Sequence, residues 1–327
     1  MNPTPDADLL RFLRNETQHC ALSDICEQLR WSPTQLTDRL QVLRSVGYEI
    51  EEHPHLGIKL VGAPDRLIAD DLFPPNESDR IGRRIMVFES TASTNDLAAK
   101  LGRDGEPDGL VVFAETQTSG RGRFGRRWES APGEGLYFTL LLRPEFERHF
   151  WPQLTTWAAV GVAKALAQLA ASEVKIKWPN DIYLNGKKAV GILSEAHTDK
   201  HSQPFAIVGI GVNVNQQEFP PELASIATSL RKETGMKFDR RDLVVQIFQN
   251  LEESYHFLGA HFQEVVAEAD RRSFLKGRWV RLEAGDSVVE GIAGNLDPSG
   301  ALQIQQANGE TVLVSSGEVT VSRIAKQ

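Results

Sequence analysis

Apolar positions change period several times along the chain, and each change marks a different kind of element. Leu9, Leu10, Phe12 and Leu13 form one helical stripe, and Leu22, Ile25, Cys26 and Leu29 form a second. A third helix is expected from Ser32, a capping residue followed by Pro33 in the first helical position and Gln35 in a capping-box pattern. Leu36, Leu40 and Leu43 face inwards on it, which leaves Thr34, Gln35, Thr37, Asp38, Gln41 and Arg44 outward. Tyr48-Glu49-Ile50 and Ile58-Lys59-Leu60, joined through Gly57, complete a winged helix-turn-helix. A stretch rich in Pro and Asp, about 62 to 83, reads as a linker.

Beyond it, β-like runs at 85–89, 110–115, 136–142, 174–177, 189–195 and 205–214 mix with helices at 93–101 and 152–171, and a long helix is expected from Asp239 to about Phe262. Asn185-Gly186 between two short runs is a two-residue hairpin signal. Hairpins beside helices argue for an α+β fold with a mixed, mainly antiparallel sheet. From Gly277 short strands alternate with turns at 283–286, 297–300 and 308–309, the pattern of a small β-barrel. The partition is therefore 1–64 for a winged helix-turn-helix DNA-binding domain, 65–83 for the linker, 84–272 for the central domain and 273–327 for the barrel.

Composition narrows the classes. Hydrophobic residues at 41% and charged residues at 24% are ordinary for a globular protein, and a net charge of −8 gives no global attraction to nucleic acid. Any DNA contact must come from a local surface. Residues 1–64 hold six Arg plus Lys against nine Asp plus Glu, and Glu49, Glu51 and Glu52 load the wing, which opposes phosphate contact and leaves open a protein-contact module. Cys20 and Cys26 lack zinc spacing, and the histidines lack supporting ligands. The N-terminus does not read as a signal peptide and the longest apolar stretch, 157–171, is too short for a bilayer, so a cytoplasmic protein without a membrane partner is expected.

The candidate chemistry sits in two segments. Gly120-Arg121-Gly122-Arg123-Phe124-Gly125-Arg126-Arg127-Trp128 packs four guanidinium groups and three glycines into nine residues, a cradle for phosphate or carboxylate. It matches the dinucleotide fingerprint only formally, since a strand and not a helix follows. Read alone, it leaves open a flexible basic surface loop. Lys177-Trp178-Pro179-Asn180-Asp181 follows the β-like Val174-Lys175-Ile176 and puts a lysine at a strand end. Asn180 and Asp181 are oxygen ligands suited to Mg²⁺, with Asp181 the candidate metal residue.

Together with Ser93-Thr94-Asn95, Glu115-Thr116-Gln117, Gly191-Ile192-Leu193 and Gly209-Ile210-Gly211-Val212-Asn213, these blocks resemble the biotin protein ligases, in the form that carries an N-terminal DNA-binding domain and doubles as the biotin operon repressor. The resemblance covers nearly the whole chain. It implies an SH3-like C-terminal barrel and a reaction in which biotin and ATP give biotinyl-5′-adenylate and pyrophosphate, followed by transfer to a lysine of a biotin carboxyl carrier domain. The absence of a Ser-His-Asp or Cys-His set fits, because the nucleophile then belongs to the acceptor.

The resemblance also assigns roles. Ser93, Thr94, Asn95 and Gln117 meet biotin, and Arg121, Gly122 and Arg123 lie at its carboxylate and the α-phosphate. Arg126 and Arg127 reach the pyrophosphate, and Lys177 bridges carboxylate and phosphate. Trp128, Asn180 and Asn213 join the adenylate site, and Gly191, Gly209 and Gly211 allow close approach of the ligand, with bulges or tight sheet packing the other reading of each glycine. Adenylate favours a homodimer, and Ser32, Thr34, Gln35, Thr37, Gln41 and Arg44 address operator DNA. The segment over adenine is not evident in 219–221 or 225–230. A lipoate–protein ligase and a ligand-sensing repressor without ligation are the competing assignments.

Overall fold

The computed structural model describes residues 4–72, 80–170, 173–285 and 287–321. Part of the expected linker (73–79), the expected helix end at Ala171, the turn residue Asp286 and the end of the barrel (322–327) lie outside the described residues.

Helices α1 (Pro5–Asn15), α2 (Leu22–Leu29) and α3 (Pro33–Ser45) and the hairpin of β1 (Glu49–His53) and β2 (Gly57–Gly62) form the N-terminal unit. Leu9, Leu10, Ile25, Leu36, Leu40, Tyr48 and Ile58 close its core. The capping box of α3 is formed in full, with Ser32 Oγ accepting from Gln35 N and Gln35 Oε1 from Ser32 N.

Next come β3 (Arg84–Thr91), α4 (Thr94–Asp104), β4 (Leu110–Gln117), β5 (Gly135–Leu142), α5 (Gln153–Leu169), β6 (Val174–Lys177), β7 (Asp181–Leu184), β8 (Lys187–Thr198) and β9 (Pro204–Asn213). The seven strands order as β3-β4-β5-β9-β8-β7-β6, with β3–β4 parallel and the other pairs antiparallel. Asn185 (φ 46°) and Gly186 (φ 83°) make the β7–β8 turn with the paired positive φ angles that such a hairpin needs. On one face α4 packs Ala98 and Ala99 against Leu110, Val112 and Phe205. On the other lies the main core, where Trp157 of α5 and Phe113, Phe138, Val208 and Ile210 of the sheet are buried.

The chain continues through α6 (Leu230–Thr234), α7 (Arg240–Tyr255) and α8 (Gln263–Arg271). The helix expected from Asp239 to about Phe262 is thus shorter, and α8 starts only beyond that span. α7 ends at Tyr255, and Gly259 adopts φ +85°, a left-handed conformation that breaks helical continuation. Strands β10 (Trp279–Ala284), β11 (Ser287–Leu296), β12 (Leu302–Gln305), β13 (Thr311–Val314) and β14 (Glu318–Val321) form an antiparallel sheet ordered β13-β12-β11-β10-β14.

The N-terminal unit is tied to the rest by buried ion pairs. Asp71, 7% exposed, receives Arg14 and the Tyr48 hydroxyl from one side, and Arg241 of α7 donates to its backbone carbonyl at 3.0 Å. Arg240, 3% exposed, bonds both oxygens of Glu115 near the end of β4, and Glu115 also accepts from Leu67 N at 2.7 Å.

Candidate active site

The ends of β4, β6 and β9, the start of α4 and the middle of β8 border one cavity of about 590 Å³, within the range that holds a small ligand. Ser93, Thr94, Asn95 and Gln117 line one end of it. They are there because α4 starts at the mouth of the sheet, with Ser93 as its cap accepting from Asp96 N. Gln117 Oε1 accepts from Thr94 N at 2.8 Å and from the Thr94 hydroxyl at 3.1 Å, and its amide donates to Ser130 Oγ at 3.2 Å. This end is polar, uncharged and pre-organised.

The arginine loop crosses the middle. It is closed on itself by Gly122 N to Arg126 O (2.7 Å) and Trp128 N to Gly120 O (2.9 Å). Each guanidinium has a protein acceptor. Arg121 meets Asp96 at 2.8 Å and Glu195 at 3.1 Å, and Arg123 donates to Asn180 Oδ1 at 3.1 Å and to Gly317 O at 3.2 Å. Arg126 meets Glu318, and Arg127 meets Glu129 at 3.2 Å. Gly317 and Glu318 belong to the C-terminal unit, so the cavity wall is shared by distant parts of the sequence.

The other end is cationic. Lys177 and Asp181 face each other across the β6–β7 pair, and the turn between them contains a cis Trp178–Pro179 bond. Trp178 packs in the core of the C-terminal unit and donates to Gly300 O at 3.0 Å, anchoring the turn. Burial pulls the Lys177 ammonium below the ordinary lysine range, against the opposing pull of Asp181. Burial likewise lowers Arg123, and it pushes the Tyr183 phenol beside them up to about 12.

Sequence reasoning missed Lys188. Its Nζ lies 2.7 Å from Asp181 and 5.6 Å from the Trp128 ring centroid, in the same cavity. A bulge between β7 and β8 pairs Ile182 with Val190 but Tyr183 with Lys188, so one extra residue brings Lys188 to the face that Gly191 occupies. Regular alternation would send it to the opposite face. Ser130, Gln216 and the apolar wall of Phe219, Pro220, Leu223 and Ile226 were missed as well. That wall carried no aromatic signature beyond Phe219, and only the fold brings it alongside the loop.

The glycines have a specific use. A methyl group on Gly191 would come within 2.7 Å of the Trp128 ring, and one on Gly211 within 2.5 Å, so both leave space for the indole. Gly209 leaves space for Asn95 Oδ1. The space beside these glycines is bordered by Trp128 and Asn95, which themselves line the cavity. Trp128 Nε1 is buried and has no hydrogen-bond partner among the described residues. Asn213 lines the cavity with its amide committed to Thr228 O at 3.0 Å, so it holds the 216–229 segment in place.

The expected DNA-contact residues lie elsewhere. Ser32, Thr34, Gln35, Thr37, Gln41 and Arg44 are all exposed on α3 or its cap. Arg44 is engaged by Glu52 of the wing at 2.6 Å, and the Gln35 side chain is used in the capping box.

A mixed sheet whose mouth joins a neutral polar end to a cationic end is shaped for an elongated ligand with a polar head and an anionic tail. Comparisons with known proteins give the chain a family. The Biotin/lipoate A/B protein ligase family matches residues 87–215, and the Biotin protein ligase C terminal domain matches 277–322. The bifunctional ligase/repressor BirA of Bacillus subtilis is 34% identical over 94% of this chain and 96% of its own length. The biotin--[acetyl-CoA-carboxylase] ligase of Mycobacterium tuberculosis is 34% identical over 72% of this chain and 88% of its own. The solved biotin protein ligase from Aquifex aeolicus, in complex with biotin and ATP, superposes with a TM-score of 0.65 at 32% identity, covering 74% of this chain and all of that one. The chain belongs to the biotin protein ligase family, and its likeness to the bifunctional ligase/repressors extends over nearly its full length. Among the described residues no helix is long and apolar enough to cross a membrane.

Proposed function

We propose that the chain joins biotin to ATP as biotinyl-5′-adenylate, releasing pyrophosphate, and passes the biotinyl group to a lysine of a biotin carboxyl carrier domain, working in the cytoplasm. The observation that carries this reading is a single cavity lined by Ser93, Thr94, Asn95 and Gln117 at one end and by Arg121, Arg123, Lys177 and Lys188 further along. The neutral end suits a cyclic urea, which needs both donors and an acceptor.

Adenylation brings a carboxylate against an α-phosphate, two anions that repel each other in water. Arg121, Arg123, Lys177 and Lys188 neutralise that charge where it concentrates in the transition state, and Gly122 lets the loop backbone come close to it. Arg126 and Arg127 receive the departing pyrophosphate. Their present acceptors, Glu318 and Glu129, are exchanged for phosphate oxygens when the nucleotide binds. Phe219, Pro220, Leu223 and Ile226 supply an apolar wall against which the adenine can lie. Trp128 bounds the biotin tail over Gly191 and Gly211. Asn180 and Asn213 hold the walls of the nucleotide side.

Mg²⁺ arriving with ATP needs only one or two carboxylates beside phosphate and water ligands. Asp181, with Asn180 next to it, offers that oxygen, and the ion would supply neutralisation of the phosphates. Among the described residues no group of three or more His, Cys, Asp or Glu is arranged to hold a metal.

We further infer that residues 1–64 present α3 to operator DNA, that 65–83 is a linker to the catalytic unit at 84–272, and that 273–327 is the SH3-like barrel, whose Gly317 and Glu318 border the anion end. A homodimer favoured by the adenylate would set two copies of α3 at a fixed spacing, as a short recognition helix requires. The test of the catalytic reading is pyrophosphate release. It should need ATP and biotin together, and release independent of biotin would refute it.

A further inference from the structure

Asn95 lines the neutral end of the cavity at 5% exposure, yet its protons are already committed. Its amide nitrogen donates to Glu195 Oε2 at 2.9 Å and to the Leu193 carbonyl at 3.3 Å. Its oxygen lies 2.7 Å from the hydroxyl of fully buried Thr139, whose proton is shared with Thr94 Oγ1 at 2.8 Å. A primary amide owns two protons and one oxygen with two lone pairs. With both protons spent, the one thing Asn95 can still offer a ligand is a lone pair on Oδ1.

The orientation of that amide is chosen by its neighbours. Thr139 does not discriminate, because a hydroxyl either donates or accepts. The Leu193 carbonyl prefers the nitrogen, but at a long distance. Glu195 decides: an ionised carboxylate only accepts, so it draws Nδ2 and repels Oδ1. Its other contact is the Arg121 guanidinium, at 3.1–3.3 Å, which donates to both of its oxygens. Gly209 completes the arrangement by leaving the space that Oδ1 occupies.

We propose that Glu195 is a positioning residue that sets the hydrogen-bond polarity of the ring end, making Asn95 an acceptor that selects a ligand N–H. This rests on the reading of the cavity as a biotin site and sharpens it: the cyclic urea is recognised there through an N–H, and a ring offering only acceptors at that point is rejected.

The experiment uses the full chain with a saturating biotin carboxyl carrier domain to consume the adenylate, and reads steady-state pyrophosphate release with biotin and ATP varied separately. Glu195→Gln keeps an oxygen for Arg121 but offers Asn95 a group that meets either orientation. It should raise the KM for biotin about tenfold, the equivalent of about 1.4 kcal/mol, and raise the KM for ATP much less, through the weakened hold on Arg121. Asn95→Asp alone sets two carboxylates face to face and should be worse. The exchanged pair, Asn95→Asp with Glu195→Gln, lets the glutamine N–H donate to the new carboxylate while its other oxygen still accepts, so most of the loss should return. That recovery also separates polarity from a general folding defect. An exchanged pair no better than the poorer single variant would overturn the proposal, as would Glu195→Gln changing both KM values alike or neither. Wild-type chain that releases no pyrophosphate with biotin would refute the underlying site assignment, whereas wild-type activity without the rescue would refute the role of Glu195 alone.

Discussion

Gly209→Ala is the sharpest mechanical test of the ring end. A methyl group there would stand 1.9 Å from Asn95 Oδ1 and 2.7 Å from its carbonyl carbon. Ordinary contact begins near 3.4 Å, so the amide must retreat by about 1.5 Å to restore normal packing distances. It has nowhere to go: Thr139 holds its oxygen at 2.7 Å and Glu195 its nitrogen at 2.9 Å. Overpacking a rigid site costs about 1–3 kcal/mol. Losing one charge-assisted bond of a buried amide adds about 1–3 kcal/mol. Part of that cost falls on folding, and the displaced amide should weaken biotin binding by at least about tenfold. Calorimetric titration with biotin and with ATP, together with thermal unfolding, reads both. Gly294→Ala is the control, since the nearest atoms to its methyl are those of Gln303 at 3.4–3.7 Å, ordinary contact distances, and it should behave like wild type. Gly209→Ala binding biotin with unchanged affinity would refute the packing argument.

Other expectations follow from individual contacts. Lys177→Ala should keep the fold and lose adenylation by about 100-fold, because a preorganised charge at a reacting phosphate contributes about 3 kcal/mol; near-normal rates would remove Lys177 from the reaction. Burial depresses the Lys177 pKa, so its charge is present at low pH and is lost on the alkaline side earlier than for an ordinary lysine. Adenylation should therefore fall there, and Lys177→Arg should move the fall to higher pH; identical profiles would contradict this. Asp71→Asn leaves Arg14 without its buried carboxylate, a loss of up to about 3–5 kcal/mol, so the N-terminal unit should melt earlier in hydrogen exchange while pyrophosphate release persists. Glu52→Gln removes the carboxylate that neutralises Arg44 on α3, and the salt slope of DNA binding should steepen by about one phosphate contact; an unchanged slope would show that Arg44 is not aimed at the backbone.

Much of the fold was legible because local rules act over short distances. The capping box at Ser32–Gln35, the Asn185-Gly186 turn and the alternation that marks strands all depend on neighbours a few residues apart. The site was legible as a set of motifs, and all the cavity residues expected from them do line it. What stayed hidden depends on tertiary pairing. The bulge that turns Lys188 towards the cavity is a property of two strands, not of one. Trp128 fills the space above Gly191 and Gly211 only once β8 and β9 lie side by side. Glu318 reaches Arg126 across 192 residues, and Arg240 reaches Glu115 across 125. The break at Gly259 was lost because the apolar spacing on both sides of it still suits one helix.

Adenylate formation in this cavity and transfer of biotin to a protein lysine are read together by incubating purified chain with ATP, biotin and a biotin carboxyl carrier domain and measuring the intact mass of the carrier. One biotinyl group should appear on a single carrier lysine, with AMP and pyrophosphate formed in equal amounts and no modification when ATP is left out. A carrier that stays unmodified while the chain is folded and binds biotin would contradict the account.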